Sequence, residues 1–435
     1  MVQLLIIADD FTGALDSGVQ FAARGAKTLV VVGTEVSFST DVTVLVVDAE
    51  TRHLPAQEAY KTVFHLVSGA KKAGVACIYK KTDSALRGNI GAELTAVLQA
   101  SGESQLPFLP AFPQIDRLTV DGVHLISGVP VAESVFGADP FEPVRHSAVA
   151  ELIGEQSSVP VLTLPADASA PDEPGILVFD CRKKEDLMAA GRRLSDAGKL
   201  HIAAGCAGFA AVLPELLDLD ICAAPQIPEL DPRLLVVCGS VNPITVEQIQ
   251  DAEKHGFHHV RLLPEQTLAS GYWASKAGEE TMASLRADLR EYPLYVIDTN
   301  DPIGEHLTAH YASEHGIGLD GIRLGNSQSI GHIVGELFTD PNLGTLLITG
   351  GDTLLQCMQQ MGVNEVEPVG ELEAGVVLSR FTYHGCTRYV ISKSGGFGKK
   401  DLLTKLAEKI SRQPKKITEV IDMTYPALPG LTPDG

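Results

Sequence analysis

Leu4-Leu-Ile-Ile-Ala-Asp-Asp-Phe-Thr-Gly-Ala-Leu-Asp16 decides how this chain is read. The opening apolar run, Leu4 to Ala8, has the length of a buried parallel strand. It stops at two adjacent carboxylates, Asp9 and Asp10. Thr12 and Gly13 follow, and then Ala14, Leu15, Val19, Phe21 and Ala22 recur at helical spacing up to Gly25, a residue suited to the left-handed position past a helix end. The order is strand, acidic turn, helix. In an open α/β sheet the carboxyl ends of the strands border the binding crevice. Asp9 and Asp10 belong at that edge, with Asp16 one or two turns into the helix. Adjacent carboxylates repel each other, so a ligand-facing role outweighs the plainer alternative, in which one caps the helix and the other is solvated.

The same grammar extends along the chain. Strands are expected at Lys27–Val32, Val42–Val47, Val75–Tyr79, Val159–Leu164, Ile176–Phe179 and His201–Ala204, with helices at Pro55–Lys72, Asn89–Ala100 and Lys183–Ala197. Leu118–Val131 interrupts this rhythm and reads as an antiparallel hairpin inserted beside the sheet. Cys222–Pro232 carries three prolines and neither period, which marks an interdomain connection. The second half restarts with strands at Leu234–Val237, Val260–Leu263, Leu294–Ile297, Thr345–Ile348 and Tyr389–Ile391. Its helices are expected at Pro243–Lys254, Gly278–Glu291, Gly304–Glu314, Ser327–Phe338, Leu354–Met361 and Asp401–Ser411. The tail after Pro426 reads as loose. The expected fold is α/β: two domains, 1–222 and 233–435, each a mostly parallel sheet flanked by helices.

Composition bounds the function. The 435 residues are 45% hydrophobic and 20% charged, as in ordinary soluble globular proteins, and no segment has the apolar length of a membrane span. The short apolar start lacks a basic flank and runs into carboxylates, so a signal peptide is not expected and the chain is placed in the cytoplasm. Seven cysteines without a C-x-x-C pair fit reduced thiols. A net charge of −21 disfavours nucleic-acid binding.

Chemistry concentrates in four further stretches. In Cys77-Ile-Tyr-Lys-Lys-Thr-Asp-Ser-Ala-Leu-Arg-Gly-Asn-Ile-Gly-Ala-Glu93 a strand ends at Tyr79 and a loop carries Lys80, Lys81, Asp83, Ser84 and Arg87 before Asn89, a helix-cap residue. Cations, a carboxylate and a hydroxyl at a strand end suit a small polyhydroxy acid, since Arg forks onto a carboxylate while Asp accepts hydroxyl protons. Thr51 and Arg52, beyond the strand ending at Asp48, belong to the same edge. The second half has three glycine turns: Cys238-Gly-Ser-Val-Asn-Pro243, Ile348-Thr-Gly-Gly-Asp-Thr353 and Ser392-Lys-Ser-Gly-Gly-Phe-Gly398. Glycine lets backbone approach a phosphate, and helix N-termini offer free N–H groups. Three such turns point to a nucleotide phosphate site, with Lys393 or Lys399 as added charge and Asp352 as a candidate Mg²⁺ ligand. Gly316-Ile-Gly-Leu-Asp-Gly321 matches the dinucleotide pattern but follows a helix, so it reads as a helix end and loop. No P-loop motif occurs, and His306 and His310 read as a solvated helix face.

These motifs resemble those of the four-carbon acid sugar kinase family. The matching residues are Ala8-Asp-Asp-Phe-Thr-Gly-Ala-Leu-Asp16, Lys81-Thr-Asp-Ser-Ala-Leu-Arg-Gly-Asn89, Pro110-Ala-Phe-Pro113, Gly128-Val-Pro130, Asp139-Pro, Pro143-Val, Ser147, Gly350-Gly-Asp352 and Lys393-Ser-Gly-Gly-Phe-Gly398. They occur in the family's order over nearly the whole chain. The resemblance implies an ATP-dependent kinase whose N-terminal domain binds the acid sugar and whose C-terminal domain binds ATP with Mg²⁺. The family's substrates are D-threonate, D-erythronate and 3-oxo-tetronate, phosphorylated on the terminal hydroxyl. Gly350-Gly-Asp-Thr-Leu-Leu355 and Lys393-Ser-Gly-Gly-Phe-Gly398 are more similar to the D-threonate type than to the 3-oxo-tetronate type, which tends to carry Glu at position 352 and Asn at position 396.

The expected reaction is in-line transfer of the ATP γ-phosphoryl group to O4 of a tetronate. Asp9, Asp10 and Asp83 are the candidate catalytic residues, accepting substrate hydroxyls, one of them orienting or deprotonating O4. Asp9, Arg52, Lys81, Asp83, Ser84 and Arg87 form the candidate substrate site, with Arg87 and Lys81 on the carboxylate. Ser240, Gly350, Gly351, Asp352, Thr353, Gly395, Gly396 and Gly398 form the candidate ATP site. The expected partners are the acid sugar, ATP and, as a candidate, a second copy of the chain in a homodimer. The competing readings are a kinase for another sugar or polyol and an acid-sugar sensor without turnover; the second phosphate site argues against the sensor.

Overall fold

The computed structural model describes residues 1–139 and 141–412; the loose tail expected after Pro426, and Pro140 of the Asp139-Pro motif, lie outside them. The N-terminal half opens with β1 (Leu4–Ala8), α1 (Phe11–Ala22), β2 (Thr28–Val32) and β3 (Val44–Asp48). It continues with α2 (Ala56–Lys72), β4 (Cys77–Lys81), α3 (Ile90–Ser101) and β5 (Gln105–Leu109). The expected hairpin is a three-stranded antiparallel sheet, β6 (Arg117–Val120), β7 (Val123–Ile126) and β8 (Val129–Pro130). After it come α4 (Val149–Gly154), β9 (Val161–Leu164), β10 (Gly175–Phe179), α5 (Lys184–Asp196), β11 (Ile202–Gly205) and α6 (Ala207–Ala210). The main strands lie in the order β2-β3-β1-β4-β11-β5-β10-β9, all parallel.

In the C-terminal half β12 (Leu234–Cys238), α7 (Pro243–Lys254), β13 (His258–Arg261), α8 (Pro264–Leu268), α9 (Lys276–Glu291) and β14 (Leu294–Asp298) come first. Then follow α10 (Leu307–Glu314), α11 (Leu319–Leu337), β15 (Thr345–Thr349), α12 (Gly351–Gln360), β16 (Glu365–Glu373), β17 (Val376–Tyr383), β18 (Cys386–Lys393) and α13 (Leu402–Ser411). The order β13-β14-β12-β15-β18 is parallel, and β17 and β16 continue it antiparallel. β16 then pairs antiparallel with β2 through Glu365–Val31 and Val366–Val30, so the two half-sheets share an edge and form one sheet of 15 strands.

Of the elements that depart from the sequence expectation, three have a physical reason in the sequence itself. β5 contains Pro107, which argues against a strand, yet β11 pairs only with Phe108 and Leu109 beyond it. β16 reads Glu-Val-Glu-Pro-Val-Gly-Glu-Leu-Glu, and two bulges break its period. α11 starts at Leu319 rather than Ser327, so Gly321 lies inside a helix and not in the expected loop.

The fold places one crevice at the strand carboxyl ends of each half. From β1 the chain moves to β2 and β3 on one side and then to β4 on the other. From β12 it moves to β13 and β14 on one side and then to β15 on the other. Each reversal leaves a gap between helices at the strand carboxyl ends. α1 lies between the halves: every residue but Gln20 is buried. The face of the sheet it covers forms one apolar core running from Leu4 and Ile6 through Val237 and Ile348.

Candidate active site

Asp9 and Asp10 end β1 with different tasks. Asp10 caps α1: its Oδ1 accepts from the Gly13 N–H at 2.9 Å and its Oδ2 from the Thr12 hydroxyl at 2.9 Å. Asp9 is not solvated but 2% exposed. Arg52, from the loop after β3, bridges both, with Nε and Nη2 each 2.7 Å from Asp9 Oδ2 and Nη1 2.8 Å from Asp10 Oδ2. Burial opposes the charge of Asp10, but Arg52 and Lys81 outweigh it and hold the carboxyl below its usual range. Burial likewise opposes the charge of Arg52, and Asp10, Asp9 and Asp83 together push its pKa well above the ordinary guanidinium value.

β4 runs through Lys81 rather than stopping at Tyr79, so the two lysines lie in the strand and on opposite faces. Lys80 is not at the cleft. It is fully buried, 3.0 Å from Glu93 of α3, whose other oxygen accepts from Thr51. Thr51 therefore turns away from the edge it was expected to join. Lys81 shares the face of α1, and its ammonium lies where a Cβ on Gly13 would be. Among the described residues no carboxylate lies within ion-pair distance of it. Asp83 binds its own loop: Oδ2 accepts from the Ala85 and Arg87 N–H groups and from Arg87 Nε, and Arg87 Nη2 lies 3.0 Å from Oδ1. Burial opposes its ionisation, but Arg87 and Arg52 keep it well below the usual carboxylate range. Arg87 also holds Asp139 at 3.2 Å. Asn89 does not cap α3; its amide donates to the carbonyls of Thr51 and Leu54 and ties down the Arg52 loop.

The inserted sheet supplies residues that the sequence reading missed. Arg117 of β6 is 4% exposed, hydrogen-bonds Ser84 and lies over the rings of Phe136 and Phe397. Burial lowers its pKa to about 10. Burial also takes His124 down to about 4, a neutral ring set between Thr119 and the Ser84 carbonyl.

Across the cleft the three glycine turns converge. A Cβ on Gly239 would collide with Thr353 Oγ1 and one on Gly395 with Ser240 Oγ, so the first turn closes on a hydroxyl of the second and the third on a hydroxyl of the first. Gly350 adopts φ +105, the region only glycine enters freely. The first N–H that bonds within α12 is that of Leu354, onto the Gly350 carbonyl. Those of Gly351, Asp352 and Thr353 find no protein acceptor among the described residues and meet the cleft at the positive end of the helix. Lys393 does not reach the cleft. It is buried, donates to Thr245 and to the Ser394 and Gly395 carbonyls, and braces the turn from behind. Lys399 is exposed and does not line the cleft.

The cleft has a volume of about 520 Å³ and is lined from both halves. Asp9, Asp10, Arg52, Lys81, Asp83, Ser84 and Arg87 line one side, and Ser240, Gly350 to Thr353, Gly395 and Gly396 the other. Gly398 is outside it, packed against Leu402 with φ +86. The halves touch inside it. Ser394 donates to Asp16 at 3.0 Å, and His53 lies 4.0 Å from Asp352, whose Oδ1 is held by Arg323 of α11 at 3.0 Å. Arg323, His53, Arg117 and Glu50 come from scattered segments without a local motif, so spacing in the sequence does not signal them. Among the described residues no three His, Cys, Asp or Glu side chains gather as a metal cluster. Asp352 offers a carboxylate oxygen at the N-terminus of α12, and Oδ2 of Asp10, already held by Arg52 and Thr12, reaches the same turn from across the cleft at Gly351.

Two family models match the chain, one in each half. The sugar-binding N-terminal domain family matches residues 4–213, and the nucleotide-binding C-terminal domain family matches residues 235–403. A D-threonate kinase of Salmonella typhimurium is 29% identical over 91% of this chain and 96% of its own length. A D-erythronate kinase of Heliobacterium modesticaldum is 24% identical over 98% and 100%, and a 3-oxo-tetronate kinase of Methylobacterium radiotolerans 24% over 91% and 96%. Crystal structures of a Salmonella typhimurium and a Haemophilus influenzae protein share the fold, with TM-scores of 0.75 and 0.64 over 94% and 93% of the chain at 21% and 20% identity. Arranged as two α/β halves around one cleft, the chain belongs to the four-carbon acid sugar kinase family and is an enzyme of the kinase class.

Proposed function

We propose that the enzyme transfers the γ-phosphoryl group of ATP to the terminal O4 hydroxyl of D-threonate, giving 4-phospho-D-threonate. D-erythronate and 3-oxo-tetronate are the alternative acceptors. The observation that carries this reading is the single cleft in which a cation–carboxylate set at the ends of β1, β3 and β4 faces three glycine turns.

In this reading residues 1–222 hold the sugar acid and residues 233–435 the nucleotide. Ser84 and Arg87 receive the carboxylate, and Lys81 adds an ammonium that makes no direct ion pair among the described residues. Asp9, Asp10 and Asp83, fixed by Arg52 and Arg87, accept hydrogen bonds from the substrate hydroxyls and orient the four-carbon chain. Ser240, Gly350–Thr353, Gly395 and Gly396 cradle the triphosphate, with the open N–H groups of α12 on its oxygens. Mg²⁺ fits as an ion held through one protein carboxylate, Asp352, and otherwise by phosphate and water, the usual pattern for this metal with nucleotides. When bound it supplies charge neutralisation on the phosphates. The protein's contribution is positioning and exclusion of water, which competes as acceptor.

The test is ADP release with ATP and Mg²⁺ over D-threonate, D-erythronate, 3-oxo-tetronate and neutral four-carbon polyols. D-Threonate is expected to give the highest kcat/KM. A neutral polyol turned over faster than every acid would overturn the reading.

A further inference from the structure

The acids lining the cleft are almost all engaged by basic side chains. Asp9 and Asp10 bind Arg52, Asp83 and Asp139 bind Arg87, Glu142 binds His53 and Asp352 binds Arg323. Glu50 is turned onto Asp48, with which it hydrogen-bonds. Asp16 differs from all of these. It is 7% exposed, lines the cleft and has no ion pair within 4 Å among the described residues. Its Oδ2 accepts the hydroxyl of Ser394, the residue before Gly395, at 3.0 Å. Its Oδ1 has no hydrogen-bond partner among the described residues. It is therefore the one carboxylate of the sugar-side half that is both uncommitted and in contact with a phosphate-side turn.

We propose that Asp16 is the base of the phosphoryl transfer, taking the acceptor hydroxyl's proton while Ser394 sets the direction of its carboxylate. The inference rests on the kinase reading above. In the step the substrate O–H bond breaks and its proton goes to Asp16. The freed oxygen forms the bond to the γ-phosphorus. The bond from that phosphorus to the β,γ-bridging oxygen breaks, and its electron pair leaves with ADP. The proton is lost to water when the cleft opens.

The surroundings suit the task. Asp16 is faced by Asp10 from the β1 turn, Lys81 from β4, Arg117 from β6, Glu371 from β16, and Lys393 and Ser394 at the end of β18. Burial is the largest influence and raises its pKa to about 7, while Lys81 and Ser394 act in the opposite sense. A base near the working pH is both largely ionised and strong enough to accept the proton.

Asp16→Asn, assayed with D-threonate, ATP and Mg²⁺, is expected to lower kcat by roughly 10²–10⁴-fold, the usual share of a general base. KM is expected to stay within a few-fold, and Asp16→Glu to restore part of the rate. The wild-type kcat is expected to fall on the acid side with a midpoint near pH 7, and Ser394→Ala, which removes a bond to the ionised form, should move that limb to higher pH. An Asp16→Asn enzyme with wild-type kcat would overturn the proposal. So would a wild-type kcat flat from acid to neutral pH, or, should Asp16→Asn not fold, an acid limb unmoved by Ser394→Ala. A wild-type enzyme inactive on every tetronate fails the kinase reading instead.

Discussion

At Lys80 and Lys81 two neighbouring ammonium groups point to opposite faces of one strand. Lys80 lies in a dry core with Glu93, and removing one member of such a pair leaves an uncompensated buried charge. Lys80→Met is expected to cost about 3–5 kcal/mol in urea unfolding. Lys81→Met should leave the unfolding midpoint near wild type but abolish most turnover, because its ammonium lines the cleft without a direct ion pair among the described residues. Equal effects of the two substitutions on stability would contradict this division. Arg52 is expected not to tolerate Lys, because one ammonium cannot fork across Asp9 and Asp10. The expected readout is a KM for the acid sugar raised by roughly tenfold, or about 1.4 kcal/mol, with the KM for ATP unchanged. The sequence announced these residue types but not their directions. The Lys-Lys pair reads as one basic loop until the strand is seen to run through it, after which the pleat assigns one lysine to each face.

At the scale of elements, the strand-to-helix turns were legible because an apolar run ending in polar residues and then glycine has few other structural solutions. Their mutual packing was not, because it joins turns more than a hundred residues apart. Gly395 shows the consequence. A methyl group there would press on Ser240 Oγ, and overpacking of this kind costs about 1–3 kcal/mol. Gly395→Ala is expected to raise the KM for ATP by roughly tenfold or more while leaving the KM for the acid sugar close to wild type. An ATP KM that did not change would separate this turn from the nucleotide. Arg117 needed the inserted sheet to reach the cleft, and β16 was hidden by its bulges, its proline and its alternating glutamates.

Over the whole molecule, buried carboxyls set the response to pH. Asp16 and Glu50 each titrate near 7 through burial, against ordinary values of 3.8 and 4.5. A carboxyl with a raised folded pKa contributes stability that is present below its unfolded pKa and is lost as pH rises through the folded one. The thermal midpoint is thus expected to decline from about pH 4 to pH 7, and Glu50→Gln to flatten that decline. Asp10 and Asp83 act oppositely, since their depressed values add stability that disappears as pH falls below about 4. A midpoint that climbed steadily from pH 4 to 7 would refute the balance. The seam between β2 and β16 carries a separate implication, for attempts to dissect the protein. Cutting at the proline-rich connector would strip each fragment of its neighbour and bare a raw row of N–H and C=O groups, a template for stray pairing. Fragments 1–222 and 233–435 expressed alone are expected to elute as oligomers from a sizing column and to regain monomeric or one-to-one behaviour when mixed. What looks like a pair of interchangeable modules is, at that border, a single woven cloth.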